Sequence, residues 1–311
     1  MASGDAVPEP AERRAARLVL HRWLLDQTAE LGRRDTQIRG GDVGDDDTVR
    51  GVHQARVACR RLRGALATFR PLVDREVTEP VRDELRWLAH ALGEARDLDV
   101  AHQRLRELVA TLPEELVVGP VHQRLEKAFA ERRREALDTA RDALASERYA
   151  ALRERLDRLA TAPPWTDRSE DDARDVLPPL VRRDFQRLRH RVHAVRALTE
   201  PNEQDAAVHA ARRAAKRLRY AAEAVEPIWG DAATRLAAAA RGFAEALGER
   251  QDAVVALPDL AALAAQAHDN GEDAFTYGVL HERERQRVDE IDDHFDDLWR
   301  ATSRKRLRSW L

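Results

Sequence analysis

Two short segments of this 311-residue chain set histidine and basic side chains at intervals that suit ligand binding: VHQARVACRRLRGAL at 52–66 and VHAARRAAKRLRYAA at 208–222. Wound as helices at about 100° per residue, His53, Arg56, Arg60 and Arg63 fall within one arc of about 80°. His209, Arg212, Lys216 and Arg219 repeat that arc in the second segment. The opposite face is apolar in both, with Ala55, Cys59, Leu62, Leu66 and Phe69 in one and Ala211, Ala215, Leu218, Ala222 and Val225 in the other. Such a stripe suits an anion. Guanidinium forks grip phosphate oxygens in pairs, and a neighbouring phosphate draws a histidine toward its charged form.

Residues 48–73 hold no Asp or Glu but six arginines, Arg50, Arg56, Arg60, Arg61, Arg63 and Arg70. Residues 206–222 are again free of acids, with Arg212, Arg213, Lys216, Arg217 and Arg219. A solvated helix would normally use carboxylates four residues away to balance such charges. Their absence means that an anion, or carboxylates from another helix, must answer the repulsion. The first helix carries a related stripe in Arg14, Arg17 and His21, and Arg183, Arg187 and His190 occupy a comparable place ahead of the second segment. Aromatic residues make up only 5% of the chain, and neither stripe is interleaved with stacking rings; Tyr220 has Gly64 as its counterpart. Base reading on single strands relies on such rings. A phosphate polymer without bases therefore fits better than sequence-specific DNA or RNA.

The elements that position these stripes are helical. Isoleucine occurs only at Ile38, Ile228 and Ile291, and 35% of residues are charged, a balance that favours helix over strand. Three of the 53 Lys and Arg residues are lysine, Lys127, Lys216 and Lys305. The two segments match at nine of fifteen positions with an offset of 156. LGEARD (92–97) matches LGERQD (247–252) at four of six with an offset of 155. Two matches in the same order indicate an internal duplication. Punctuation by Gly, Pro and acidic runs predicts helices over 10–34, 48–70, 75–110, 114–145 and 147–161, then 175–199, 204–226, 231–250, 252–269 and 272–302. The expected fold is all-α, an internally duplicated pair of antiparallel helical bundles about a pseudo-twofold axis. Repeat 1 would span about 11–162 and repeat 2 about 175–302, with a disordered 1–10, an acidic loop at 42–47, a Pro- and Asp-rich connector and a basic tail at 303–311. A single cysteine excludes an intrachain disulfide. No run reaches the roughly 18 apolar residues of a membrane span, and the N-terminus is a poor signal peptide. The expected compartment is cytoplasmic, with no membrane association.

The paired VHQARVACRRLR and VHAARRAAKRLR segments, followed by LRWLAHALGEARDLDV and LGERQDAVV, resemble the CHAD domain, the conserved histidine α-helical domain. The likeness runs from about residue 11 to about residue 300. It implies a duplicated helical fold with a basic surface or central pore that binds inorganic polyphosphate, with or without divalent counterions, and association with polyphosphate granules. By resemblance, the binding residues map onto His53, Arg56, Arg60, Arg61 and Arg63 and onto His209, Arg212, Lys216, Arg217 and Arg219. Many relatives carry a CYTH domain; no ExExK pattern precedes residue 48, so a stand-alone, non-catalytic module is expected. Glu94, Asp97, Glu249 and Asp252 suit helix-end capping and ion pairing near a glycine; the more specific reading is that Asp97 and Asp252, at matched positions, orient motif arginines or histidines.

Three other readings compete. A metal-assisted polyphosphate or nucleotide phosphohydrolase would need parts that are not visible: there is no GxxxxGK[ST] loop and no HExxH pair. Metal storage by histidine conflicts with the arginines around His53 and His209. An interaction module for nucleic acid or acidic proteins would use the same charges less selectively. No cofactor is implied, and the oligomeric state is not specified. Cys59 reads as core, Trp23, Trp87, Trp229 and Trp299 as packing anchors, and His102, His122, His268, His281 and His294 as surface residues.

Overall fold

The structure is a computed structural model that describes residues 14–41, 45–198 and 200–311. The segment expected to be disordered, 1–10, lies outside them. Ten α-helices follow in order: α1 (Ala16–Gly40), α2 (Asp46–Thr68), α3 (Arg75–Ala91), α4 (Gly93–Ala110), α5 (Val121–Ala145), α6 (Glu147–Thr161), α7 (Ala173–Arg196), α8 (Pro201–Asp269), α9 (Phe275–Asp293) and α10 (Phe295–Thr302). Between the described residues only two isolated β-bridges form, Ala15 with Asp172 and Val73 with Trp165. The chain is all-α, as its composition predicts.

Local chemistry sets several starts. The Asp45 carboxylate accepts from the Thr48 amide at 3.2 Å and so caps α2. Asp74, Ser146 and Asp172 cap α3, α6 and α7 in the same way. Each satisfies an amide that the first helical turn leaves without a partner. The acidic run at 42–47 is therefore not wholly a loop, since its last residues open α2.

Four expected helices are cut or joined differently. The stretch 75–110 breaks at Leu92, and 272–302 breaks at His294. Conversely, 231–250 and 252–269 run on as one helix within α8, while the expected break between 226 and 231 falls at the kink of α8 at Gly230, whose φ of 45° is open to glycine at little cost. Gly248 does not stop that helix because it lies in a buried stretch between Leu247 and Ala253, where packing outweighs glycine's weak propensity.

The connector is tied down at both ends. The Asp74 amide donates to the Pro164 carbonyl at 2.7 Å, Thr166 donates to Leu72 at 3.1 Å, and Ala173 donates to Arg14 at 2.8 Å. Two apolar cores result. One gathers Leu31, Leu62, Leu85, Leu105, Phe129 and Leu152, and the other Leu20, Phe69, Leu177, Leu218, Phe243 and Trp299. These cores do not follow the two halves of the chain. Leu260 and Leu263 of α8 and Tyr277 of α9 enter the first, while Ala16 and Val19 of α1 enter the second. Beyond Gly230, α8 runs about 58 Å at 1.5 Å per residue, long enough to reach from one core to the other.

The two motif helices, α2 and α8, pack against each other. Gly64 faces the Tyr220 ring, so closely that a Cβ there would lie 3.6 Å from it. These two residues hold matched places in the two motifs, and their meeting puts the basic stripes side by side. A second joint is polar. Asp184 of α7, 1% exposed, accepts from Thr68 of α2, from Arg217 Nε of α8 at 2.8 Å and from Arg187 Nη1 at 2.6 Å. Removing one partner of such a buried pair leaves an uncompensated charge. Asp184→Ala should therefore cost about 3–5 kcal/mol in denaturant unfolding; a loss under about 1 kcal/mol would match a solvated surface pair instead.

Candidate functional site

The stripes are sorted by what each side chain touches. Arg61 donates to Glu223 at 3.1 Å, Arg219 reaches the same carboxylate at 2.6 Å, and Arg217 is held by Asp184. Glu223 stands one residue beyond the acid-free segment, which is why the sequence pattern hides this pairing. Arg61 and Arg219 also lie over the Tyr220 ring at 5.7 and 5.6 Å. These three expected site residues thus hold the two motif helices together and have little free charge to offer.

The other motif cations converge with few answers. Arg56 donates from Nη1 to the Gly93 carbonyl at 2.9 Å and to Asp97 at 2.8 Å. Arg60, Arg63, Arg212, Arg213 and Lys216 form no ion pair among the described residues. Charges from both motifs act on one another: Arg56 and Arg212 on Arg60, Arg60 and Arg56 on Lys216, and Lys216 on His53. The two stripes therefore form one cluster between α2, α4 and α8. The Nε–H groups of Arg56, Arg60, Arg63 and Arg212 are buried and meet no protein acceptor among the described residues.

Burial and repulsion show in the proton affinities. Burial, then Arg96, Arg60, Arg56 and Lys216, push the His53 pKa down to about 4. Burial, then Arg212 and Arg60, bring Lys216 down to about 7, with Asp252 opposing. His209 is lowered by burial, then by Arg213 and Arg212, against a hydrogen bond that its ring donates to Gln251. Burial also lowers Arg60, Arg63 and Arg96; guanidinium nonetheless stays charged.

The remaining expected site residues stand elsewhere. Arg17 pairs with Glu170 at 2.7 Å, and His21 donates to the Ala160 carbonyl at 2.7 Å, so the α1 stripe faces the connector. Arg14 and Arg183 are exposed, and Arg187 is engaged by Asp184. His102, expected on the surface, is 5% exposed, set against Phe129 and beside Glu126 and Arg133. Cys59 is buried, and burial pushes its thiol up to about 12, in keeping with a core role.

Three contributors were missed in the sequence. Arg96 acts on His53 most strongly after burial. Gly93 and Gly248 lie under Arg56 and Arg212; a Cβ would come within 3.7 and 3.0 Å of their Nη2 atoms. The available signal was the LGEARD–LGERQD match itself, which placed both glycines and Arg96 but gave no reason for them. The carboxylates at the ends of that match differ. Asp97 is 72% exposed and holds Arg56. Asp252 faces Arg212, Arg104, Lys216 and Arg96 yet makes no ion pair among the described residues, and burial raises its pKa. It does not anchor Arg212 as Asp97 anchors Arg56. Among the described residues no group of three or more His, Cys, Asp or Glu is placed to hold a metal, and no helix is long and apolar enough to cross a membrane.

The two aspartates should respond oppositely to neutralisation. A raised folded-state pKa gives stability below the unfolded value that is lost as pH rises through the folded one. At pH 7 the Asp252 charge is therefore a net cost. Asp252→Asn should raise the thermal midpoint at pH 7, and Asp97→Asn should lower stability by about 0.5–1 kcal/mol, as an exposed pair does. Equal shifts in both variants would show that the two environments do not differ.

The comparisons agree with the helical frame. Two Mycobacterium tuberculosis proteins, the uncharacterized proteins MT2285 (strain CDC 1551 / Oshkosh) and Rv2226 (strain ATCC 25618 / H37Rv), are each 32% identical over 268 residues, covering 85% of this chain and 49% of theirs. The chain spans about half the length of these relatives. Among solved structures, PptA from Streptomyces chartreusis superposes with a TM-score of 0.70 at 26% identity, covering 91% of this chain and 98% of that one. The CHAD domain from the plant Ricinus communis superposes with a TM-score of 0.68 at 23% identity, covering 95% and 97%, a likeness of fold. The CHAD domain model matches residues 22–261, both motif helices included, and the chain belongs to the CHAD family.

Proposed function

We propose that this protein binds inorganic polyphosphate through the cluster of Arg56, Arg60, Arg63, Arg96, Arg212 and Lys216, with His53 and His209 at its edge, and does not cleave it. The observation that carries this reading is the set of buried Nε–H groups of Arg56, Arg60, Arg63 and Arg212, contributed by both motif helices, that meet no acceptor among the described residues. A row of phosphates would accept from them while neutralising the repulsion between the stripes. Family membership supports the same ligand. The near absence of stacking rings supports a polymer without bases: Tyr220, the ring nearest the cluster, is 5% exposed and is packed against Gly64. The place proposed for the protein is on cytoplasmic polyphosphate granules.

Titration with polyphosphate at matched salt tests this. Changing His53, Arg56, Arg60, His209, Arg212 and Lys216 together to Ala should abolish measurable binding while helical circular dichroism is retained. With four cations engaged, wild-type affinity should fall about 50-fold between 50 and 200 mM salt on the slope known for single-stranded polyanions. A salt-insensitive interaction contradicts the proposal. Release of orthophosphate from polyphosphate in magnesium would favour a hydrolase instead.

The pH profile is a separate check. Free histidine suggests a window near pH 6.5, but the free site titrates elsewhere, with His53 at about 4 and Lys216 at about 7. Bound phosphate stabilises protonated Lys216 and raises its pKa. Affinity should therefore be full below about pH 7 and fall up to about tenfold per pH unit above it, until the bound-state value is reached. Lys216→Arg should flatten that fall. A fall that persists in Lys216→Arg would assign the titration to another group.

A further inference from the structure

A third acid-free basic stretch lies outside the cluster. Residues 185–198 contain no Asp or Glu, and Arg187, Arg189, His190, Arg191, His193 and Arg196 are all exposed on α7. The C-terminal segment 303–311 is also free of acids. It docks beside α7: Arg182 donates to the Leu311 carbonyl, the Arg308 guanidinium lies 5.2 Å over the Phe185 ring, and Trp310 packs on Trp229 at 5.2 Å. Ordering a terminal segment costs conformational entropy, and here the ordering adds exposed Arg304, Lys305, Arg306 and Arg308 to the α7 face.

Many exposed arginines elsewhere pair with carboxylates three or four residues away, as Arg285 does with Glu282 and Asp289 and Arg22 with Asp26, although Arg75, Arg155, Arg158 and Arg168 form no ion pair among the described residues. On α7 only Arg187 and Arg196 are answered, by Asp184 and Asp296. Arg183, Arg189, Arg191, Arg304, Arg306 and Arg308 have no carboxylate partner among the described residues. So much unanswered positive charge on a chain of net charge −3 attracts a polyanion. Between this face and the central cluster stand further cations that are already paired, Arg82 with Glu79, Arg86 with Asp83, and Arg187 and Arg217 with Asp184. Arg63 feels Arg82 and Arg86 of α3, Arg217 feels Arg82 and Arg187, and Asp184 holds Arg217 and Arg187 on one carboxylate.

We propose that the outer face of α7, with the docked C-terminal segment, is a second anion-binding surface, so that a long phosphate chain is held there and at the central cluster while a short one is held at the centre alone. This rests on the polyphosphate reading of the central site and narrows it to long chains. The gain is one of effective concentration: a chain anchored at one site meets the second without a new diffusional encounter.

The test compares tripolyphosphate with chains of hundreds of phosphates, on wild type and on a variant carrying Arg189→Gln, Arg191→Gln, Arg304→Gln and Arg306→Gln. All four positions are exposed, and circular dichroism checks the fold. The variant should bind the long chain about tenfold more weakly and with a shallower salt slope, while its affinity for tripolyphosphate stays at the wild-type value. Unchanged long-chain affinity, or an equal loss for both ligands, would overturn the second surface and leave the central reading standing. Failure of wild type to bind either ligand would overturn both.

Discussion

The structure turns on repulsion between like charges held at the crossing of α2 and α8. Gly64 and Tyr220 let the helices approach at matched points of their motifs, and that approach brings Arg60, Arg56, Arg212 and Lys216 within reach of one another's fields. Nothing in the apolar packing requires this. Leu62, Leu66, Leu218 and Ala222 would bury as well with neutral residues on the opposite arc. The two cores and the Thr68–Asp184–Arg217 joint hold the helices together against the repulsion. Like charges held this close carry a Coulombic cost, and an anion placed among them would offset it.

The arrangement divides labour among residues of one type. Arg61, Arg217 and Arg219 are spent on carboxylates and serve cohesion. Arg60, Arg63 and Arg212 remain available. Lys216 stands where the first motif has Arg60, in a chain with only three lysines. That substitution matters chemically, because an ammonium sheds its proton near neutrality when crowded and a guanidinium does not. The second half of the cluster is therefore the part that answers to pH. Asp252 adds to the same asymmetry, being enclosed where Asp97 is solvated.

Local regularities made the helical class, the motif segments and the twin stripes legible before any coordinates. Helical periodicity is written residue by residue, and two copies of one pattern at an almost constant offset are hard to miss. The apolar faces read from the wheel are the buried ones, from Ala55 and Cys59 to Ala215 and Leu218. Some boundaries were less legible. The matched glycines Gly93 and Gly248 suggest equivalent local structure, yet one opens α4 and the other runs inside α8, because helix continuation depends on what the flanking turns bury.

That two helices each present a basic arc opposite an apolar one is written in the residue order, since both properties follow from a 3.6-residue period. Which of those charges are free is settled by packing. Arg60 and Arg61 are neighbours in the chain, but Arg61 meets Glu223 from 162 residues away and Arg60 meets no carboxylate among the described residues. His102 was read as a surface residue and is enclosed by Phe129, Glu126 and Arg133, partners its own helix does not reveal. Free charge, proton affinity and burial are set by contacts between segments distant in sequence, and those contacts exist only once the helices have packed.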